Sequence, residues 1–184
     1  FVIAKAQSAW SRDFSAFDST IGARFPNPRV EAEFGADTMP QTADNVAREL
    51  GITRDQADTY AARSQALFEA AVQDGFHAGE ILPIEVPQGG KQPPKRVERD
   101  EHPRPDSDFA SLSRLRPLFE GGVVTAGNAS GVNDGAAALL IGSQAIGEQY
   151  GLKPRARILA AAIAGVEPRL MGLGPVPAII KALQ

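Results

Sequence analysis

Cysteine is absent from all 184 residues. That excludes disulfides, thiolate zinc sites and a cysteine nucleophile within these residues. Histidine is almost as scarce. The two present, His77 and His102, stand apart, offer no metal-ligand spacing and read as surface residues, so no metal site is expected. No apolar run approaches the roughly 20 residues of a membrane helix. The net charge of −3 lacks the basic excess that general affinity for nucleic acid or an anionic membrane requires. Also missing are a Walker Gly-Lys-Ser/Thr and the G-x-G-x-x-G spacing of dinucleotide binders. The start, FVIAKAQSAW, has no methionine and no charged segment ahead of an apolar core. With a helix scarcely begun at Gln184, this predicts a portion of a longer protein. A hydrophobic content of 43% is ordinary for a globular chain of one or two domains.

Residues 1–36 scatter aromatics (Trp10, Phe14, Phe17, Phe25, Phe34) among glycines and prolines, predicting mostly loop with a short hairpin. Asp37 to Leu50 reads as a helix: Thr38 and Gln41 fit a capping box, Pro40 suits the first turn, and Gly51 stops it. Thr53 and Gln56 form a second box. Behind them Ala57, Tyr60, Ala61, Leu67, Phe68 and Ala71 recur at helical spacing, predicting a long amphipathic scaffold helix up to Gly75 with one face in a core. Glu80 to Val86 alternates like a strand with Pro83 as a kink, and Pro87 to Pro105 is an exposed connection with a short strand near Lys95 to Glu98. Asp108 to Leu115 is a short helix capped by Ser107 or Asp106. Gly135 to Tyr150 is a helix on a sheet, Arg157 to Ala164 an apolar strand of a doubly covered sheet, and Gly165 to Gly174 a loop carrying Met171. Pro175 and Pro177 open a terminal helix.

Everything is arranged around VTAGNASGVNDGAAALL, Val124 to Leu140. A β-branched run (Val123, Val124, Thr125) leads into a loop whose glycines, Gly127, Gly131 and Gly135, allow φ > 0 and close approach of a ligand to the backbone. The small side chains of Ala126, Ala129 and Ser130 leave room beside it, and Asn133 or Asp134 can cap a helix from Gly135. On its residues alone this loop is equally a tight turn under a packing constraint. Likewise Met39 and Met171 read as flexible gap-fillers or anchors, and Arg104 as a solvated cation.

Taken whole, TAGNASGVNDGAAALL resembles a signature of the thiolases, the acetyl-CoA acyltransferases. GVEPRLMGLGPVPA (Gly165 to Ala178) resembles a second, and DTMPQTADNVA (Asp37 to Ala47) a third, in the family's order. Within the family the chain is most similar to thiolases that cleave 3-oxoadipyl-CoA in aromatic-acid breakdown. The resemblance implies an α/β thiolase-like fold, with an inserted α/β lid domain over residues 1–131. Residues 132–155 would end the N-terminal half and residues 156–184 would begin the C-terminal half, both incomplete parts of a layered αβα core. It implies coenzyme A as co-substrate rather than a permanently bound cofactor, a cytoplasmic homotetramer or dimer, and no nucleic-acid or membrane partner. The segment around Trp10 would serve assembly.

By the same resemblance Arg104, the last residue of Asp100-Glu101-His102-Pro103-Arg104, would meet the nucleotide end of coenzyme A, together with Ser111. Ala126 and Ser130 would run along the pantetheine arm. Met39, Phe119 and Met171 would shape the acyl pocket, with Thr38 where the family often has histidine. Arg24, Arg29 and Arg169 are unranked candidates for a distal carboxylate. The family's reaction starts with a cysteine thiolate on the ketone carbonyl of a 3-oxoacyl-CoA, acetyl-CoA leaves, and a second coenzyme A takes the acyl group. The N-E-A-F and G-H-P elements of that chemistry do not occur here, so no residue of this chain is expected to be catalytic. Three readings stand: part of a thiolase, an inactive coenzyme A-binding lid fragment, or an unrelated α/β structural domain.

Overall fold

The computed structural model describes residues 2–5, 10, 12, 14–17 and 27–184. The aromatic-rich start does form a hairpin: β1 (Val2–Lys5) pairs antiparallel with β2 (Phe14–Phe17), Val2 opposite Phe17 and Lys5 opposite Phe14. Trp10, in the connection between them, is 95% exposed. Phe25 and Arg24 lie outside the described residues.

Local punctuation decides the helices that follow. Asn27 caps α1 (Pro28–Phe34) by accepting from the Arg29 N–H, and Gly35 ends it at φ +78°. Thr38 opens α2 (Met39–Leu50), its N–H donating 2.8 Å to Gln41 Oε1, and Gly51 closes it in the left-handed region. Thr53 and Gln56 do the same for α3 (Arg54–Gln73), through bonds of 2.8 and 3.3 Å.

Packing is where α3 departs from its pattern. Ala57, Ala61, Phe68 and Ala71 are only half-buried, while Tyr60 and Leu67 are exposed. The one fully buried side chain on α3 is polar, Asp58. Below it His77 is half-buried rather than at the surface, its ring stacked 5.3 Å from Phe68 and edge-on to Phe76 at 5.1 Å.

The predicted strand over Glu80 to Val86 shrinks to β3 (Ile84–Val86), which pairs antiparallel with β4 (Lys95–Val97). Pro83 stands just ahead of β3 and has no N–H for a ladder. Then α4 (Phe109–Leu112) packs on α3. Its cap is Asp108 itself, not Asp106 or Ser107, because the Asp108 carboxylate accepts the Ser111 N–H at 2.7 Å.

Two expected elements do not form. Residues 135–142 are not helical, so neither Asn133 nor Asp134 is a cap, and only α5 (Gln144–Gln149) forms, capped by Ser143. Arg157 to Ala164 forms no strand among the described residues. The physical reason is common to both: an apolar stripe needs a covering layer, and no described element covers this one. Leu139, Leu140, Ile158, Leu159 and Ile163 all stand in solvent, Ile163 at 90%.

The segment Gly165 to Gly174 is more ordered than a loop. It forms a 3-10 helix (Pro168–Leu173) that packs on α2 and leads into α6 (Pro175–Ala182). No described helix is long and apolar enough to cross a membrane.

This exposure predicts the behaviour of the 184-residue chain in isolation. Residues 132–166 should bind an apolar dye such as ANS and exchange amide protons rapidly, while α2, α3 and the 117–128 segment stay protected. Uniform protection across residues 132–166 would contradict it.

Candidate functional site

The central loop hangs on two buried carboxylates, one from each long helix. Asp58 on α3, 0% exposed, takes Arg54 Nε on one oxygen at 2.6 Å and Asn128 Nδ2 on the other at 2.9 Å. The spacing of Arg54 and Asp58 is one helical turn, which sets the two side chains face to face. Arg54 reaches on with Nη2 to the carbonyls of Leu112 and Leu115, at 2.7 and 2.9 Å, and so ties the end of α4 to α3. Asn128 completes the loop: its Nδ2 also donates to Val123 O, and its Oδ1 accepts from Thr125 N at 2.7 Å.

Thr125, equally buried, accepts from the N–H groups of Gly127 and Asn128 through Oγ1, both at 3.2 Å. Its carbonyl takes the Ala129 N–H, so residues 125–129 close one helical turn. Upstream, Pro117 bridges Thr125 and Leu118 N donates to Val124 O. Phe119 to Gly122 makes the turn between them, with Gly121 at φ +71°.

Asp44 on α2 is the second anchor. Its Oδ1 accepts from the N–H groups of both Val123 (2.8 Å) and Val124 (3.0 Å). Among the described residues its Oδ2 is buried without a partner.

The motif glycines work differently from expectation. Neither Gly127, Gly131 nor Gly135 has a positive φ. A Cβ at Gly127 would collide with Leu112 and Leu115, and one at Gly131 would meet the His102 ring. Close packing, not an unusual backbone, favours glycine at 127, where Leu112 is buried, whereas at 131 the neighbour is the exposed His102 side chain, which can turn aside.

The expected site residues fall into two groups. Ala126 and Ser130 sit on the exposed edge of the anchored turn. Ser130 lines a groove of about 860 Å³ with Tyr60, Phe68, His102 and Asn133, and the Asp100-Glu101-His102-Pro103 stretch forms one wall. Arg104 follows that stretch. Its N–H donates to Gln65 on α3, and its exposed guanidinium caps the turn by donating from Nη1 to the carbonyls of Glu101, His102 and Pro103.

Ser111 is half-buried in the α4 cap. Its hydroxyl donates to Asp108 O and accepts from Asp108 N, so its proton is committed and it can meet a ligand only as an acceptor. Phe119 lies at the partly exposed turn of the 117–125 segment.

Met39 and Met171 belong together through their elements. Met39 is the first residue of α2 and 66% exposed; Met171 is carried on the 3-10 helix packed against α2. Asn45 of α2 bonds the Arg169 carbonyl at 3.2 Å, and Glu49 pairs with Arg169 at 3.6 Å. Arg169 also bonds Glu167, so its charge is already answered, whereas Arg29 is exposed on α1. Among the described residues no cluster of histidine and carboxylates suits a metal ion.

Asp44, Asp58 and Asn128 carry the site's geometry, and sequence reading passed over all three as binding-loop supports. The available signal was two carboxylates on the helices immediately after capping boxes, but helix position alone does not say which one is buried.

Comparison with known proteins follows this geometry. The model of the thiolase N-terminal domain matches residues 25–145. A 3-oxoadipyl-CoA/3-oxo-5,6-dehydrosuberyl-CoA thiolase of Escherichia coli K12 is 51% identical over 185 aligned positions, covering 100% of this chain and 46% of the relative. The chain therefore spans about half the length of the curated relatives it matches. Human mitochondrial 3-ketoacyl-CoA thiolase superposes with a TM-score of 0.84 at 34% identity, over 100% of this chain and 45% of that one. Its crystal structure in complex with CoA matches 80% of this chain and 36% of that one, with a TM-score of 0.73 at 42% identity.

Two predictions come from the anchors. Asp58→Ala leaves Arg54 and Asn128 without their buried acceptor and should cost roughly 3 kcal/mol in urea unfolding, at the low end because Arg54 keeps 21% of its side chain in water. A change below about 1 kcal/mol would show the pair to be dispensable. Separately, the Ser111 N–H, aided by Arg114, holds the Asp108 carboxyl below the ordinary aspartate range. A depressed folded value means that the cap's contribution is complete above the unfolded pKa and fades as pH falls through the folded one. Carboxyl NMR should find Asp108 titrating below a free aspartate in the native chain, and closer to the ordinary value in Ser111→Pro, which removes the N–H donor.

Proposed function

The chain belongs to the thiolase family, and from that premise we propose that it is the coenzyme A-binding and acyl-pocket portion of an acyl-CoA acyltransferase. The reaction is cleavage of a 3-oxoacyl-CoA by coenzyme A to give acetyl-CoA and a shortened acyl-CoA. The substrate is 3-oxoadipyl-CoA and the shortened product succinyl-CoA. The observation that carries this reading is the end-to-end identity of 51% to a relative named for 3-oxoadipyl-CoA. The same identity removes the unrelated α/β domain from consideration.

In this reading residues 1–131 form the lid, residues 132–155 end the N-terminal half and residues 156–184 begin the C-terminal half. The anchored turn presents Ala126 and Ser130 to the pantetheine arm, and the Arg104 guanidinium meets the phosphates. Among the described residues its Nε and Nη2 have no protein acceptor, so they can turn to an anion without breaking the turn that Nη1 caps. Ser111 accepts from the nucleotide end. Met39 and Met171, polarizable and unbranched, line the thioester pocket with Phe119, where they adapt to an acyl chain without offering a nucleophile.

The chain supplies no thiolate, so the nucleophile must come from residues other than these 184. What these residues contribute is binding and orientation, which lower the barrier by holding the thioester carbonyl in an attacking geometry. Assembly into a homotetramer or dimer and a cytoplasmic location belong to the same proposal.

The test is thiolysis of 3-oxoadipyl-CoA by the protein that carries this chain, with coenzyme A binding measured in parallel. Arg104→Ala should weaken coenzyme A by roughly 10- to 100-fold, the equivalent of losing one charge-assisted contact, and leave dephosphorylated pantetheine binding unchanged. Coenzyme A binding without turnover would support the inactive lid reading instead. An Arg104→Ala protein with unchanged affinity would remove Arg104 from the site.

A further inference from the structure

Asp44 lies outside every candidate contact with substrate, yet it joins the two halves of the candidate site. Its Oδ1 receives two successive backbone N–H groups, Val123 and Val124, immediately before the Ala126–Ser130 turn. Five residues earlier on α2 stands Met39, whose carbonyl accepts the Thr42 hydroxyl at 2.8 Å. The next residue, Asn45, holds the Arg169 carbonyl of the 3-10 helix that carries Met171. One rigid helix therefore bonds directly to both the turn and the methionine-bearing segment.

We infer that Asp44 is a positioning residue for acyl transfer, fixing the coenzyme A turn in register with Met39 and Met171. The inference rests on the functional reading above and adds to it a residue that touches neither substrate nor cofactor. Three observations carry it. Asp44 is buried, and both N–H groups converge on one oxygen, so that oxygen fixes the Val123–Val124 segment's approach in direction as well as distance. Among the described residues its second oxygen has no partner, so the whole hold of this carboxylate on the loop runs through the first oxygen. Gly122 packs against this carboxylate so closely that a Cβ there would collide with it.

A shift of about 1 Å in a substrate-holding segment is enough to cost on the order of 100-fold in rate. The Asp44 clamp has the leverage to produce such a shift, since it sits at the root of the turn and not on it.

The test uses the full-length enzyme carrying this chain, with Asp44→Asn, Asp44→Ala and Gly122→Ala. Asn keeps the oxygen that accepts both N–H groups; Ala removes it; Gly122→Ala keeps the carboxylate but pushes the Val123–Val124 segment away. Folding is checked by circular dichroism. Acylation of the nucleophile by p-nitrophenyl acetate, which has no coenzyme A arm, serves as the control. Asp44→Ala and Gly122→Ala should lose roughly 10- to 100-fold in kcat/KM for thiolysis with little change in the control, and Asp44→Asn should stay close to wild type. If Asp44→Ala does not fold, Gly122→Ala decides alone. Wild-type thiolysis in a folded Gly122→Ala or Asp44→Ala protein overturns the inference, as does an Asp44→Asn protein as impaired as Asp44→Ala. A wild-type enzyme that does not bind coenzyme A overturns the functional reading and this inference together, whereas the former outcomes overturn the inference alone.

Discussion

A carboxylate withdrawn completely from water has to be answered by donors, and Asp58 is answered from two directions at once. Arg54 comes from its own helix and Asn128 from the loop seventy residues on. Arg54 in turn holds the carbonyls at the end of α4, and Asn128 holds the backbone of Val123 and Thr125. The loop's shape, the seating of α4 and the tie to α3 thus share one buried charge. Such an arrangement is weak evidence for net stability, because desolvation opposes the Coulombic gain, but it specifies a single geometry. Few apolar side chains help: Ala47 and Leu112 are the buried hydrophobic residues among those described.

The same economy extends to α2. Asp44 clamps the loop from the other side while Asn45 and Glu49 secure the 3-10 helix through Arg169. Between the two helices the loop is fixed by polar contacts whose directions are strict, whereas Ala126 and Ser130, proposed to touch coenzyme A, stand on its outer edge. A binding segment in a loop gains accuracy when the elements beneath it supply the rigidity.

Residues 132–166 present the opposite case. Their apolar side chains satisfy the pattern of a helix and a buried strand, yet they form neither in full, because secondary structure of this kind is stabilised mainly by packing an apolar face against another layer. Leu139, Leu140 and Ile163 meet solvent here. The chain covers 46% of its relative's length, and the described residues contain no layer to receive that face.

The sequence by itself determined whatever is encoded within one turn of chain. Thr38 with Gln41, Thr53 with Gln56, and the stop glycine at 51 place α2 and α3 almost to the residue, since capping bonds span only a few positions, whereas α1 fell where the sequence reads as loop. The three long motifs were enough to identify the family. Tertiary structure alone decided the rest. It chose Asp58 over the apolar stripe of α3 as the buried residue, because burial depends on which partner arrives from a distant loop. It favoured glycine at 127 through proximity to the buried Leu112, a contact that no local pattern announces. It also withheld the helix from 135 and the strand from 157, where local propensity was sufficient but the covering layer was not there to make it pay.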